Sequence, residues 1–190
     1  PLPDYPYAAM DFAQASRHLE LFNVRELILC TPEAQKAAAS TPGYRIRDTF
    51  GTYQIWEIQG GSGRYVEPLE FEPVLLDAPR WPHQSYRWFL DNGRNDVHLV
   101  RGEGLSAADR SRFSRAVDSL EPDLPRKPID VAGCFLQEEV RNEEILIRTN
   151  WIGKPLLIKM SYHPNWQVEG ADRVYLVSPS FMLLYPNREN

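Results

Sequence analysis

CFLQEEVRNEEILIRTNWIGKPLLIKMSYHPNWQVEGADRVYLVSPSFMLLYP, residues 134–186, decides the fold. Short apolar runs alternate in it with the turn formers Asn142, Gly153, Pro164-Asn165, Gly170 and Pro179. Strands are predicted over Cys134–Val140, Glu144–Trp151, Pro155–Tyr162, Trp166–Glu169, Arg173–Ser178 and Phe181–Tyr185. Close spacing with turn signals points to an antiparallel, jelly-roll-like β-sandwich. Alternation puts Ile145, Ile147, Thr149 and Trp151 on one face of a strand. Leu156, Ile158, Met160 and Tyr162 share a face of the next.

Working backwards from there, Glu121–Pro128 holds three prolines and reads as a loop. Ser106 to Asp109 resembles a capping box, and Phe113, Val117 and Leu120 line one face of a helix predicted to run to about residue 120. Val97–Val100 reads as a short strand. Tyr86–Leu90 reads as a short helix closed by Asn92-Gly93, with Pro79 and Pro82 breaking the chain around Trp81. Glu70–Leu76 is a further candidate strand. Gln59–Gly63 is a flexible connector.

The first sixty residues have a different rhythm. Phe12, Ala15, Leu19 and Phe22 recur at helical spacing over residues 11–22. Arg25–Cys30 reads as a buried strand. Thr31 caps a helix with Pro32 in its first turn and an alanine-rich body from Glu33 to Ser40. Strands Tyr44–Phe50 and Tyr53–Ile58 follow, joined by Gly51-Thr52 as a tight hairpin. The expected whole is α+β: an α/β lobe over 1–59, a linker and mixed α/β region over 60–128, and the β-rich sandwich over 129–190.

At 190 residues the chain can bury a core without staples. Its 26 acids outnumber 21 scattered Lys and Arg, for a net charge of −5. The basic runs at Arg110–Arg115 and Arg126-Lys127 are short, so nucleic acid is excluded as a partner. Cys30 and Cys134 sit in or beside apolar runs and read either as buried thiols or as one disulfide. No stretch approaches the roughly 18 apolar residues of a spanning helix. Both ends read as cut points in a longer protein, with its membrane segments expected outside.

Little here resembles catalytic machinery. His18, His83, His98 and His163 lack the spacing of a metal site, and no cofactor or metal is expected. His18 reads as surface, and His98, between Val97 and Leu99, is predicted to point outward from its strand. Gly60-Gly61-Ser62-Gly63 lacks the helix or the lysine of a phosphate loop. Glu138, Glu139, Glu143 and Glu144 cluster at a predicted turn, as a solvated tip or as an acid pair for glycoside chemistry. Five Trp and nine Tyr make aromatics the better hint. Trp151, Tyr162 and His163, with Asn150 and Asn165 nearby, form either part of the sandwich core or a platform that stacks on sugar rings. Trp166 is expected to pack behind the Pro164-Asn165 turn.

The segment PLLIKMSYHPNWQVEG, residues 155–170, resembles a strand–turn–strand in soluble domains of large polytopic bacterial and archaeal membrane proteins. These are known as 6-pyruvoyl-tetrahydropterin-synthase-related membrane proteins and are grouped with GT-C-type glycosyltransferases. Ser161, Tyr162, His163, Pro164 and Trp166 occupy that pattern. Asn23-Val24-Arg25 is similar to the family's strand entry, with Glu26 where Tyr is usual. Pro42-Gly43-Tyr44, Phe50–Ile58 and Val66-Glu67-Pro68-Leu69 also match, while the middle of the chain matches poorly. The pterin-synthase name implies nothing here, since no zinc-binding His triad with a catalytic Cys is present.

The resemblance implies a location and a partner more than an activity. The chain would be a non-catalytic accessory domain on the extracytoplasmic face of a bacterial membrane. Its partners would be the transmembrane part of the same polypeptide and a glycan or lipid-linked sugar. A protein-interaction module without a small-molecule site and a glycan-active enzyme are the alternatives.

Overall fold

In the computed structural model residues 11–120 and 123–188 are described. The protein is α+β and mostly β, with two compact units, Pro1–Gly63 and Arg64–Asn190.

The first unit contains α1 (Phe12–Leu21), β1 (Glu26–Leu29), α2 (Pro32–Ala39), β2 (Tyr44–Phe50) and β3 (Tyr53–Ile58). Asp11 caps α1 by accepting from the amides of Ala13 and Gln14, and the Thr31 hydroxyl accepts from Ala34 N at the start of α2. The strands form an antiparallel sheet in the order β1-β3-β2. Phe12, Leu29, Ala38 and Trp56 make the core. Tyr44 seals it with its ring edge-on to Phe12, while its hydroxyl donates to Phe12 O at 2.9 Å. Three local expectations change. Leu21, not Phe22, is the buried residue at the end of α1. β1 is an edge strand covered on one face, so Ile28 is 69% exposed. A bulge between Ile46 and Asp48 shifts the register of the β2–β3 pair.

The second unit is built on a seven-stranded sheet. Its strands are β4 (Val66–Pro68), β5 (Val74–Leu76), β6 (Leu99–Arg101), β7 (Ala116–Val117), β10 (Leu156–Ile158), β11 (Tyr175–Val177) and β12 (Phe181–Leu184). The order is β4-β10-β12-β11-β6-β5-β7. Pairing is antiparallel from β4 to β6, and β5 lies parallel to both β6 and β7. Helix α3 (Trp81–Leu90) connects β5 to β6. It is longer than predicted because Pro82 falls in its first turn, where a missing N–H removes no helical bond. The hairpin β8 (Leu136–Val140) and β9 (Ile145–Thr149) supplies a second β layer. Leu136, Ile145 and Ile147 pack onto Val66, Leu156, Ile158, Met182 and Leu184 of the large sheet.

The helix predicted to residue 120 stops after one turn, as α4 (Ala107–Arg110). The Ser106–Asp109 capping box forms as expected. Beyond it residues 115–117 serve the open edge of β5: Leu75 N donates to Arg115 O at 2.9 Å and Asp77 N to Val117 O at 2.8 Å. Strand amides that need partners outrank a weak helical periodicity. Phe113 then packs edge-on against Tyr175. Trp166–Glu169 is no strand either, but an irregular segment between Pro164 and Gly170. The loop expected over Glu121–Pro128 is irregular from Asp123 to Lys127, and Glu121 and Pro122 lie outside the described residues.

Neither cysteine is bridged, and Cys30 is exposed rather than buried. Burial pushes the Cys134 thiol up. His98 points inward, 4% exposed, because this sheet is covered on both sides at β6 and alternation there no longer separates core from solvent. Among the described residues no helix is long and apolar enough to cross a membrane.

One carboxylate ties the two layers together. Glu138 on β8 accepts from Tyr65 N at 2.9 Å and from Val66 N at 2.6 Å, satisfying amides at the edge strand β4. Glu138→Ala is expected to lower stability by about 1–3 kcal/mol, the range for losing hydrogen bonds to a charged acceptor. A denaturant midpoint unchanged from the wild type would show that water replaces the carboxylate there.

Candidate functional site

A cleft of about 860 Å³ opens beside β9. Every residue from Glu143 to Thr149 lines it, so its near wall is the strand edge and not one face of the strand. Ile158 of β10 and Met182 and Leu184 of β12 form an apolar floor, with Val174 and Ala171 beside them. The far wall is the irregular segment Asn165–Ala171, where Trp166 and Val168 pack partly into the core. Charge sits at the rim: Glu143 and Glu144 precede β9, Arg148 lies near its end, and Arg188 stands 4.0 Å from Glu169.

The turn carboxylates divide their tasks. Arg141 bridges Glu139 and Glu144, each at 2.9 Å. That guanidinium holds the Glu139 carboxyl below the usual carboxylate range. Glu138 is committed to the β4 amides. Glu143 and Glu144 reach the cleft rim.

The five residues singled out from the sequence do not share one surface. Trp151 is 4% exposed within the core, with the Lys154 ammonium 3.9 Å from its ring centroid. Asn150 is a structural clip: its Oδ1 accepts from Phe135 N at 2.8 Å and its Nδ2 donates to Gly133 O at 2.9 Å. Tyr162 is half-buried against the same core. His163 is exposed, and its Nδ1 accepts from Asn165 N at 3.2 Å. Asn165 alone of the five lines the cleft. Sequence reasoning missed Trp166 and Gln167 as cleft residues. The bracketing of Trp-Gln-Val between Pro164 and Gly170 was the available signal for an irregular wall.

Among the described residues the cleft lining contains no His, Cys, Ser, Lys or Tyr. The Thr149 hydroxyl donates to Phe135 O and accepts from Trp151 N. No described group of three or more His, Cys, Asp or Glu could hold a metal ion. The arrangement offers apolar burial, a strand edge and a charged rim. Comparison with family models, curated proteins and solved structures finds no match.

Proposed function

We propose that this chain is a non-catalytic accessory domain of a larger membrane-embedded, glycosyltransferase-like protein, on the extracytoplasmic face of a bacterial membrane. The cleft beside β9 is its binding site, and a partner polypeptide is the ligand that suits it best. The observation that carries this is the pairing of an apolar floor with a strand edge in one cleft. The resemblance of residues 155–170 to soluble domains of polytopic membrane proteins supports the location. A second reading, contact with a glycan or lipid-linked sugar, draws on Trp166 flanked by Asn165 and Gln167 on the cleft wall, an indole beside hydrogen-bonding amides.

Exposed Cys30 provides the test of location. In the full-length protein carrying Cys134→Ser, a membrane-impermeant maleimide is expected to label Cys30 on intact cells. Labelling only after lysis overturns the extracytoplasmic placement. The isolated chain is expected to turn over no chromogenic glycoside or ester. Turnover that Glu144→Gln abolishes would overturn the non-catalytic reading. Oligosaccharide titrations followed by NMR decide the second reading, which falls if the Trp166 indole N–H does not shift.

A further inference from the structure

The edge of β9 can be read amide by amide. Arg141 N donates to Glu144 O at 2.8 Å, so residues 141 and 144 form a hydrogen-bonded pair closing the hairpin. Antiparallel pairs alternate between bonded and non-bonded. With Val140 opposite Ile145 and Glu138 opposite Ile147, the backbone groups of Glu144, Leu146 and Arg148 point to β8. Those of Ile145, Ile147 and Thr149 point the other way, along the cleft. No strand pairs with that edge among the described residues. The side chains divide by the same alternation. Ile145 and Ile147 pack onto the core, while Glu144, Leu146 and Arg148 are exposed, Leu146 at 38%.

The second β layer is therefore a two-stranded hairpin with space beside it, over an apolar floor made by the large sheet. Five residues of strand run about 17 Å. We propose that this slot receives an extended polypeptide strand, paired antiparallel to β9 through the outward amides and carbonyls of Ile145 and Ile147. Its inward side chains are apolar and meet Ile158, Met182 and Leu184. Its outward side chains are a base opposite Glu144 and an acid opposite Arg148. The inference rests on the reading of the domain as a binding module and names the form of the ligand.

Three features of the slot select this occupant. An open strand edge repeats donors and acceptors at the spacing of another strand, which no sugar reproduces. The floor rewards apolar side chains at every second residue. Opposite charges at the two ends of β9 fix direction, because directly opposed unlike charges stabilise a cross-strand pair and like charges weaken it. A second copy's β9 would satisfy the same charge rule, with Glu144 against Arg148. It would, however, bring its own wall of residues 165–171 against the slot.

The probe is the heptapeptide TEVTVKT, whose two valines fall opposite Ile147 and Ile145 and whose Glu and Lys fall opposite Arg148 and Glu144. Titration into the whole chain, followed by 15N NMR and amide exchange, is expected to protect the amides of Ile145, Ile147 and Thr149. N-methylation of either valine is expected to weaken binding about fivefold or more, the loss of one hydrogen bond. N-methylation of the central threonine, whose N–H points away from β9, leaves binding unchanged. Exchanging Glu and Lys in the peptide weakens binding, and the double variant E144R/R148E restores it. Equal loss from methylation at valine and threonine overturns strand pairing while leaving a binding cleft in place. No protection of the β9 amides by the peptide overturns the inference. So does protection already present without peptide, or arising from self-association in sedimentation.

Discussion

Trp88→Ala is expected to destabilise the Arg64–Asn190 unit by about 3–5 kcal/mol, the range for removing a fully buried large aromatic. The side chain on α3 is 0% exposed and sits beside the imidazole of His98, with ring centroids 5.3 Å apart. Its Nε1–H donates to Val97 O at 2.8 Å, and its own carbonyl accepts from Asn95 Nδ2 at 2.9 Å. Truncation therefore leaves both a cavity and an orphaned carbonyl. Trp88→Phe, which keeps a six-membered aromatic ring but loses the five-membered one with its donor, is expected to cost clearly less. Denaturant unfolding of the two variants is the measurement, and a loss below about 1 kcal/mol for Trp88→Ala would mean that the loop 91–97 collapses into the space. Trp166→Ala is expected to cost less than Trp88→Ala. The sequence assigned Trp166 a packing role behind a turn, but its side chain is half-buried on a cleft wall.

What could be read from the sequence was whatever local chemistry decides. The Gly51-Thr52 hairpin, the Thr31-Pro32 helix start and the Ser106–Asp109 box all form, because each depends on residues within about four positions of one another. What could not be read depends on partners far along the chain. Phe113, Val117 and Leu120 keep helical spacing, yet Val117 extends the sheet because β5, about forty residues upstream, needs an edge partner. His98 obeys strict alternation with Val97 and Leu99, yet all three are buried because α3 and the sheet neighbours close both sides of β6. The burial of Trp151 shows the same dependence. Alternation placed Trp151 on the face of Ile145 and Ile147 correctly, but only the large sheet behind that face shows that it is interior. The cleft itself has no local signature. It is the part of the second β layer that the β8–β9 hairpin does not reach.

Lowering the pH from about 6.5 to about 4 is expected to remove about 3 kcal/mol of stability through His98 alone. The imidazole is buried, and desolvation is the main reason its pKa falls from 6.5 to about 4. The Ser178 carbonyl at 2.8 Å pulls the other way, as do Glu67 and Asp96, while Lys159 adds to the depression. A carbonyl can only accept, so Nδ1 carries the proton of the neutral ring. A second proton must enter at Nε2, inside the core. The sign follows from proton counting. Above the unfolded pKa of about 6.5 both states hold a neutral ring and the full stability is present. Between 6.5 and 4 the unfolded chain binds a proton that the folded chain refuses, so stability is lost as pH falls. Below about 4 both states are charged and this contribution stops changing. The gap between 6.5 and about 4 corresponds to about 3 kcal/mol. His98→Gln retains an amide donor for Ser178 and cannot titrate. Its unfolding free energy is expected to be flatter than that of the wild type between pH 6.5 and 4. The carboxylates held below their usual range, Glu57, Glu72, Asp109 and Glu139, lose stabilisation at the acid end in both proteins and cancel in the comparison. Parallel stability curves for the two proteins across that window would show that the folded state opens around His98 and lets the ring charge in water.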